Sequence, residues 1–124
     1  MPKKILVVDD EELIVRSLRK LLEKSGFTVF VAKNGRDARE MVEEESFDLI
    51  IADIRMPGMN GVETVEAIYG YLKKSDKGKI PALFITGYAD DAIKARAKTL
   101  DPVAYVHKPF DIADLVGKIE KAVQ

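Results

Sequence analysis

The sequence alternates short, continuously apolar runs with longer segments of helical periodicity, and this alternation restricts the fold more than any other feature. The strand-like runs cover residues 4–9, 28–32, 48–53, 80–86 and 102–107. Stretches such as ILVV and LIIA contain no polar position, as is typical of parallel strands covered on both faces. Strand and helix patterns that alternate five times predict an α/β fold built on a parallel sheet.

The segments between the runs predict amphipathic helices, because their apolar residues recur at three- to four-residue spacing. The clearest stripes are Ile14, Leu18, Leu21 and Leu22, then Val62, Val65, Tyr69 and Leu72, then Leu115, Ile119 and Ala122. Shorter helices are predicted over residues 36–45 and about 90–100. The second of these carries few apolar residues, so it should be among the easiest elements to displace.

Five strands connected in this way most often form a flavodoxin-like (βα)5 fold, a doubly wound parallel sheet with strand order 2-1-3-4-5. Ligands of such sheets bind outside the carboxyl ends of the strands, at the switch point between strands 1 and 3. The 124 residues suit a single domain, residues 1–124, that is large enough to bury a hydrophobic core.

Composition excludes several classes of protein. Twenty basic residues nearly balance twenty-one acidic ones, so no basic field favours direct binding of nucleic acid. The absence of cysteine excludes disulfides, thiol catalysis and Cys-based metal sites. No apolar run approaches the roughly 20 residues of a membrane span, and MPKK is too short to begin a signal peptide. We therefore expect a cytoplasmic protein without membrane insertion.

Acidic residues follow two of the apolar runs. The first run ends in Asp9, Asp10, Glu11 and Glu12, and the third ends in Asp53. Because strands 1 and 3 flank the switch point, the three aspartates are predicted to meet there. Carboxylates about 5 Å apart repel by roughly 3 kcal/mol at an effective dielectric of 20, so the cluster would either hold a proton or recruit a cation, for which an all-oxygen site favours Mg²⁺. Glu11 and Glu12 fit the simpler role of acidic residues at a helix start.

Two further strand ends carry polar chemistry. Strand 4 ends in Thr86, and strand 5 leads into Lys108. Each alone is an ordinary residue for its position. Together they place a hydroxyl donor and an ammonium opposite the carboxylates, which is what a phosphoryl group held on Asp53 would require.

These features resemble the receiver domain of bacterial two-component response regulators. The matching motifs are ILVVDDE, DLIIADIRMPGMNG, ITGY and YVHKPF, and the resemblance covers essentially the whole sequence. It implies a stand-alone, chemotaxis-receiver-like architecture, since no output domain follows the fifth helix. A segment of a longer regulator would show the same pattern.

The resemblance assigns the metal ligands and the nucleophile. Asp53 would be the phosphoacceptor. Asp9 and Asp10 would bind Mg²⁺, for which Mn²⁺ can substitute, with further contacts from Asp53 and the backbone carbonyl of Arg55.

The resemblance also implies the roles of the remaining site residues. Thr86 would hydrogen-bond the phosphoryl group, and Lys108 would pair with it. Tyr105 would change rotamer when Thr86 moves. The Lys108–Pro109 peptide bond would be cis, which proline tolerates.

A phosphorylation-dependent signalling switch is the function that follows. A sensor histidine kinase or a histidine phosphotransfer protein would donate the phosphoryl group. The surface of helix 4, strand 5 and helix 5 would then change and control an unknown partner. The chain would catalyse only its own phosphorylation and dephosphorylation, as a monomer or a phosphorylation-dependent dimer.

The prolines and glycines of two loops predict specific backbone conformations. Pro57, Gly58 and Gly61 would shape the loop after strand 3, where glycine permits unusual φ angles. Pro102 would end helix 4 and bias Asp101 to an extended conformation, in a segment that departs from the usual family pattern.

Two alternative functions stay open. An aspartate-nucleophile phosphohydrolase needs a second Asp two residues after the nucleophile, where this sequence has Arg55. A passive receiver-fold interaction module would lack part of the site. Arg55 and Tyr88 are hypothesised to set the lifetime of the phosphorylated state, whereas His107 is expected to point away from the site and to have no chemical role.

Overall fold

The apolar runs form strands and the periodic segments form helices, as the alternation predicts. The computed structural model describes residues 2–56, 58–87 and 91–123. Within these ranges the strands are β1 (Lys4–Val8), β2 (Thr28–Ala32), β3 (Leu49–Asp53), β4 (Ala82–Thr86) and β5 (Ala104–His107). The helices are α1 (Glu12–Lys24), α2 (Gly35–Glu44), α3 (Gly61–Lys74), α4 (Asp91–Thr99) and α5 (Ile112–Ala122). No helix in these ranges combines the length and apolar character needed to cross a membrane.

The strands pair in parallel in the order β2-β1-β3-β4-β5, which confirms the predicted topology. Val8, the last residue of β1, pairs with Ala52, one residue before Asp53. Thr86, the last residue of β4, pairs with His107 at the end of β5. Since all the strands run in one direction, the chemistry-bearing residues that follow them gather at one edge of the sheet.

Helices cover both faces of the sheet, and β1 contacts both layers. Leu6 and Val8 belong to the apolar cluster that includes residues of α2, α3 and α4. Ile5 and Val7 belong to the opposite cluster, which includes residues of α1 and α5. Burial on both sides explains why the run ILVV carries no polar position.

Helix α4 is held by few apolar groups. Only Ala97 is fully buried, whereas Ile93 and Leu100 are partly buried against the core. This confirms the thin apolar stripe predicted for the segment. An ion pair between Arg96 Nη2 and Glu66 Oε1 of α3, at 2.5 Å, adds a polar attachment. The position of α4 therefore depends on a small contact area and on charge.

The expectation that Asp101 is extended is wrong. Asp101 has a φ of +52°, in the left-handed region, directly after α4. Its N–H donates to the carbonyl of Lys98 at 3.1 Å, and the Leu100 N–H donates to Ala97 at 3.1 Å. Closing the helix end in this way satisfies carbonyls of the last turn, and aspartate tolerates the left-handed region better than most residues do. That gain outweighs the preference imposed by the following proline.

Candidate functional site

The carboxylates of strands β1 and β3 meet at the edge of the sheet. One oxygen from each of Asp9, Asp10 and Asp53 lies within 4.8 Å of the others. Asp9 is 2% exposed and Asp53 is 1% exposed, whereas Asp10 faces solvent. The prediction that these three side chains converge is confirmed.

Backbone donors fix the orientation of the two buried carboxylates. The Glu11 N–H donates to Asp9 Oδ1 at 2.9 Å, and the Arg55 N–H donates to Asp53 Oδ1 at 3.1 Å. Both are short-range contacts of the loop that follows each strand. The second oxygen of Asp53, Oδ2, accepts a hydrogen bond from Lys108 Nζ at 3.0 Å. Asp53 thus has one oxygen held by the backbone and the other facing an ammonium group.

The cluster is electrostatically costly. The pKa of Asp9 is raised to about 7, above all by burial and also by the charge of Asp53, although the Glu11 N–H and Lys108 act in the opposite direction. The raised pKa means that an ionised Asp9 is costly in the folded chain near neutral pH. A hard divalent cation would relieve the same repulsion, and three carboxylate oxygens form a donor set that such an ion prefers. The residues present fit Mg²⁺.

Lys108 reaches the cluster from the loop after β5. Its backbone N–H donates to the Thr86 carbonyl at 2.7 Å, and its peptide bond to Pro109 is cis. Burial alone would lower the pKa of Lys108, but hydrogen bonds to Glu11 and Asp53 outweigh it, so the pKa lies above its ordinary value. Lys108 therefore stays charged.

Glu11 is a member of the site that the sequence did not reveal. Its Oε1 accepts a hydrogen bond from Lys108 Nζ at 2.5 Å. The only signal in the sequence was its place in the acidic run DDEE, which equally suits a helix start. The contact depends on the approach of a loop from the far end of the chain.

Thr86 and Tyr105 lie on the neighbouring strands. Thr86 is buried at the end of β4. The Tyr105 hydroxyl is buried close to the Thr86 side chain and, within the part of the chain that the structure describes, has no hydrogen bond of good geometry. Burial raises the pKa of Tyr105, and the neighbouring Thr86 side chain opposes that effect. The Tyr105 ring meets the exposed His107 ring edge-on, with centroids 5.3 Å apart.

The glycines after β3 serve two different purposes. Gly58 has a φ of +76°, in agreement with the expected unusual backbone. Gly61 does not need an unusual φ. A Cβ at Gly61 would lie 2.3 Å from the Asp53 carbonyl oxygen, so the requirement is close approach of the start of α3 to β3. Pro57 and Tyr88 lie outside the described residues.

An open, largely apolar groove adjoins the site. It encloses about 440 Å³ between α1 and α5 and is lined by Ile14, Gly87, Lys108, Pro109, Phe110 and Ile112. Leu13, next to this lining on α1, is 79% exposed.

A family model for the response regulator receiver domain matches residues 5–120. The chain belongs to this family. The transcriptional regulatory protein CrdR of Helicobacter pylori is 34% identical over 121 residues, which are 98% of this chain and 55% of CrdR. This receiver domain thus spans about half the length of that relative.

Solved structures share the fold. A CheY-like response regulator receiver domain protein from Methanospirillum hungatei superposes with a TM-score of 0.88 at 29% identity, covering 99% of this chain and 94% of the other. A response regulator of Burkholderia pseudomallei, solved with a phosphorylated aspartic acid, a calcium ion and citrate, has a TM-score of 0.79 at 25% identity. The match covers 98% of this receiver domain and 66% of that chain.

Proposed function

We propose that this chain is a single receiver domain, residues 1–124, in which Asp53 accepts a phosphoryl group and thereby switches a signalling surface. The observation that carries the proposal is the position of the Asp53 carboxylate, buried beside Asp9 and Asp10 and 3.0 Å from Lys108 Nζ. Membership of the receiver family supports it, as does the phosphorylated aspartic acid described for the Burkholderia relative.

The nucleophile is Asp53 Oδ2. Because the Arg55 N–H holds Oδ1, Oδ2 is the oxygen that faces the incoming group. Oδ2 forms a bond to phosphorus as the bond between phosphorus and the donor nitrogen breaks. The donor imidazole leaves with that electron pair and takes up a proton. The product on Asp53 is an acyl phosphate.

Positive charge around the phosphoryl group comes from two sources. Mg²⁺, or Mn²⁺ in its place, would be held by Asp9, Asp10, Asp53 and the Arg55 carbonyl, and when bound would neutralise charge on the phosphoryl oxygens. Lys108 contributes from the opposite side, since its ammonium already contacts Asp53 Oδ2. Most of the rate enhancement then comes from positioning and charge.

The switch begins at Thr86, whose hydroxyl donates to a phosphoryl oxygen. Tyr105 lies beside it with a buried hydroxyl that lacks a partner among the described residues. Because no hydrogen bond of good geometry holds that hydroxyl, the Tyr105 ring can turn when Thr86 moves toward the phosphoryl group. The thinly packed α4 shares an apolar cluster with Tyr105 and can follow, which alters the surface of α4, β5 and α5.

The phosphodonor is a histidine kinase or a histidine phosphotransfer protein. The groove lined by Ile14, Phe110 and Ile112 opens beside Lys108 and offers such a protein an apolar contact next to Asp53. The downstream partner binds the α4–β5–α5 surface. The chain acts on its own Asp53 and does not turn over an external substrate, because Arg55 occupies the position where a phosphohydrolase would carry its acid.

Incubation with phosphoramidate and Mg²⁺ tests the proposal. Intact-mass measurement should find one added phosphoryl group that hydroxylamine removes, as expected for an acyl phosphate. Asp53→Asn should remain unmodified, whereas Asp10→Asn should be modified more slowly and require more Mg²⁺. Failure of the wild-type chain to gain the group, or equal modification of Asp53→Asn, would contradict the proposal. Repeated donor turnover without an adduct would favour the phosphohydrolase.

A further inference from the structure

The Lys108 ammonium is shared between two carboxylates in the resting chain. Its Nζ lies 3.0 Å from Asp53 Oδ2 and 2.5 Å from Glu11 Oε1. The Asp53 side chain is 1% exposed, whereas the Glu11 side chain is 52% exposed. One ammonium is therefore shared by a buried carboxylate, that of Asp53, and a half-exposed one, that of Glu11.

Helix formation does not account for the position of the Glu11 side chain. Glu11 is the N-cap residue of α1, but its side chain makes no capping hydrogen bond. Its backbone N–H is directed to Asp9 Oδ1. The first turn has its own acidic residue, Glu12, which contacts Lys33 at 3.6 Å. The Glu11 carboxylate instead accepts a hydrogen bond from Lys108 Nζ.

We propose that Glu11 is a positioning residue that holds the Lys108 ammonium in the resting chain and competes for it with the phosphoryl group on Asp53. The inference rests on the proposed phosphoryl transfer to Asp53. Two effects, competition for the ammonium and repulsion between negative charges, act in the same direction. Lys108 has to be shared with the phosphoryl oxygens, and these bring up to about two negative charges close to the same ammonium, where they repel the Glu11 carboxylate. Glu11 therefore slows loading by anionic phosphodonors and weakens the loaded state.

The exposure of Glu11 limits the size of the effect. Ion pairs that are partly in solvent change an equilibrium or a rate by no more than about fivefold. A neutral side chain of the same shape should therefore accelerate loading by roughly two- to fivefold without abolishing any step. The effect should be distinct from that of Lys108 itself, which is required for charge stabilisation.

The experiment compares the wild-type chain with Glu11→Gln and Glu12→Gln. The two variants remove the same charge from adjacent positions at the start of α1, so Glu12→Gln controls for net charge and for the helix dipole. Loading by phosphoramidate is timed by intact mass at saturating Mg²⁺. Glu11→Gln should load two- to fivefold faster, and Glu12→Gln should load at the wild-type rate. Glu11→Asp, which keeps the charge on a shorter side chain, should fall between Glu11→Gln and the wild type.

A second measurement follows Lys108 directly and needs no phosphodonor. An NMR titration of the Lys108 Cε–H signals, in EDTA, should show a lower pKa in Glu11→Gln than in the wild type, with Glu12→Gln unchanged. Equal loading rates in the wild type and Glu11→Gln would overturn the inference, and so would slower loading in Glu11→Gln. If the wild-type chain does not load at all, the proposed function fails. In that case the titration still decides whether Glu11 holds Lys108, and an unaltered Lys108 pKa would overturn that contact.

Discussion

Gly61 lies directly against the backbone of Asp53. A Cβ built on Gly61 would sit 2.3 Å from the Asp53 carbonyl oxygen, and the Gly61 N–H donates to the Ile54 carbonyl at 3.0 Å. The first residue of α3 thus packs against the end of β3. The Asp53 carboxylate is oriented by the Arg55 N–H of the turn that begins there. This close backbone contact requires a residue without a side chain.

Replacing Gly61 with alanine should destabilise the fold. The added Cβ meets backbone, which cannot move aside as a side chain would, so the free energy of unfolding should fall by about 1–3 kcal/mol. Gly70→Ala is the matched control in the same helix, since a Cβ there meets nothing within 4 Å. It should raise the stability by up to about 1 kcal/mol. Urea unfolding of both variants checks this. Equal stability of the two would contradict the predicted clash of the added Cβ with the backbone.

The tyrosines provide a second matched pair. The Tyr105 hydroxyl is buried without a partner among the described residues, whereas the Tyr69 hydroxyl donates to the Ile80 carbonyl at 2.7 Å. Tyr105→Phe should therefore raise the free energy of unfolding by about 1 kcal/mol, and Tyr69→Phe should lower it by a similar amount. Thermal or urea unfolding distinguishes the two signs. Destabilisation by Tyr105→Phe would mean that its hydroxyl is hydrogen-bonded in solution.

The fold was predictable because its signals are local. Continuous apolar runs indicate strands that are buried on both faces. This pattern was enough to predict the parallel sheet and the edge where the strand ends meet. The convergence of Asp9, Asp10 and Asp53 followed from topology alone, because Asp53 ends β3 and the other two are the first two residues after β1. No side-chain detail was needed for that inference.

Two features escaped prediction for separate physical reasons. The contact of Glu11 with Lys108 joins residues 97 positions apart and depends on how two loops approach, which no local pattern encodes. At Asp101 two local rules compete, since proline favours an extended predecessor and a helix end favours a left-handed residue. The sequence contains both signals, and only the hydrogen bonds of the helix end show which one prevails.

Helix α4 should be loosened by removing its ion pair with α3. Arg96 contacts Glu66 Oε1 at 2.5 Å, and Ala97 is the one fully buried side chain of α4 within the described residues. Arg96→Ala should therefore speed amide hydrogen exchange throughout α4 while leaving the core strands protected. Lys94→Ala, which removes an exposed positive charge from the same helix, is the control. Exchange in α4 that is equally fast in both variants would assign the effect to charge or helix propensity alone.

Stability in the absence of divalent cations should fall as pH rises. Asp9 ionises near 3.8 when the chain is unfolded and near about 7 when it is folded. Between these values the folded chain binds more protons than the unfolded chain, so the free energy of unfolding decreases from about pH 4 to about pH 7 and then levels off. Asp9→Asn should remove this slope and raise the stability near pH 8 by at most about 4 kcal/mol. Urea unfolding in EDTA measures the profile, and Glu12→Gln, with the same charge change, should keep the wild-type slope.

Magnesium binding should release a proton from Asp9. A carboxylate must be ionised to bind the metal, and burial together with the charge of Asp53 raises the pKa of Asp9 to about 7. Calorimetric titrations in buffers of different ionisation enthalpy should therefore report proton release on Mg²⁺ binding near pH 7, declining toward zero by about pH 9. The affinity should rise over the same interval. Asp9→Asn should bind Mg²⁺ more weakly and without this buffer dependence. A binding enthalpy that is the same in all buffers for the wild-type chain would show that Asp9 is already ionised, and the raised pKa would then have to be abandoned.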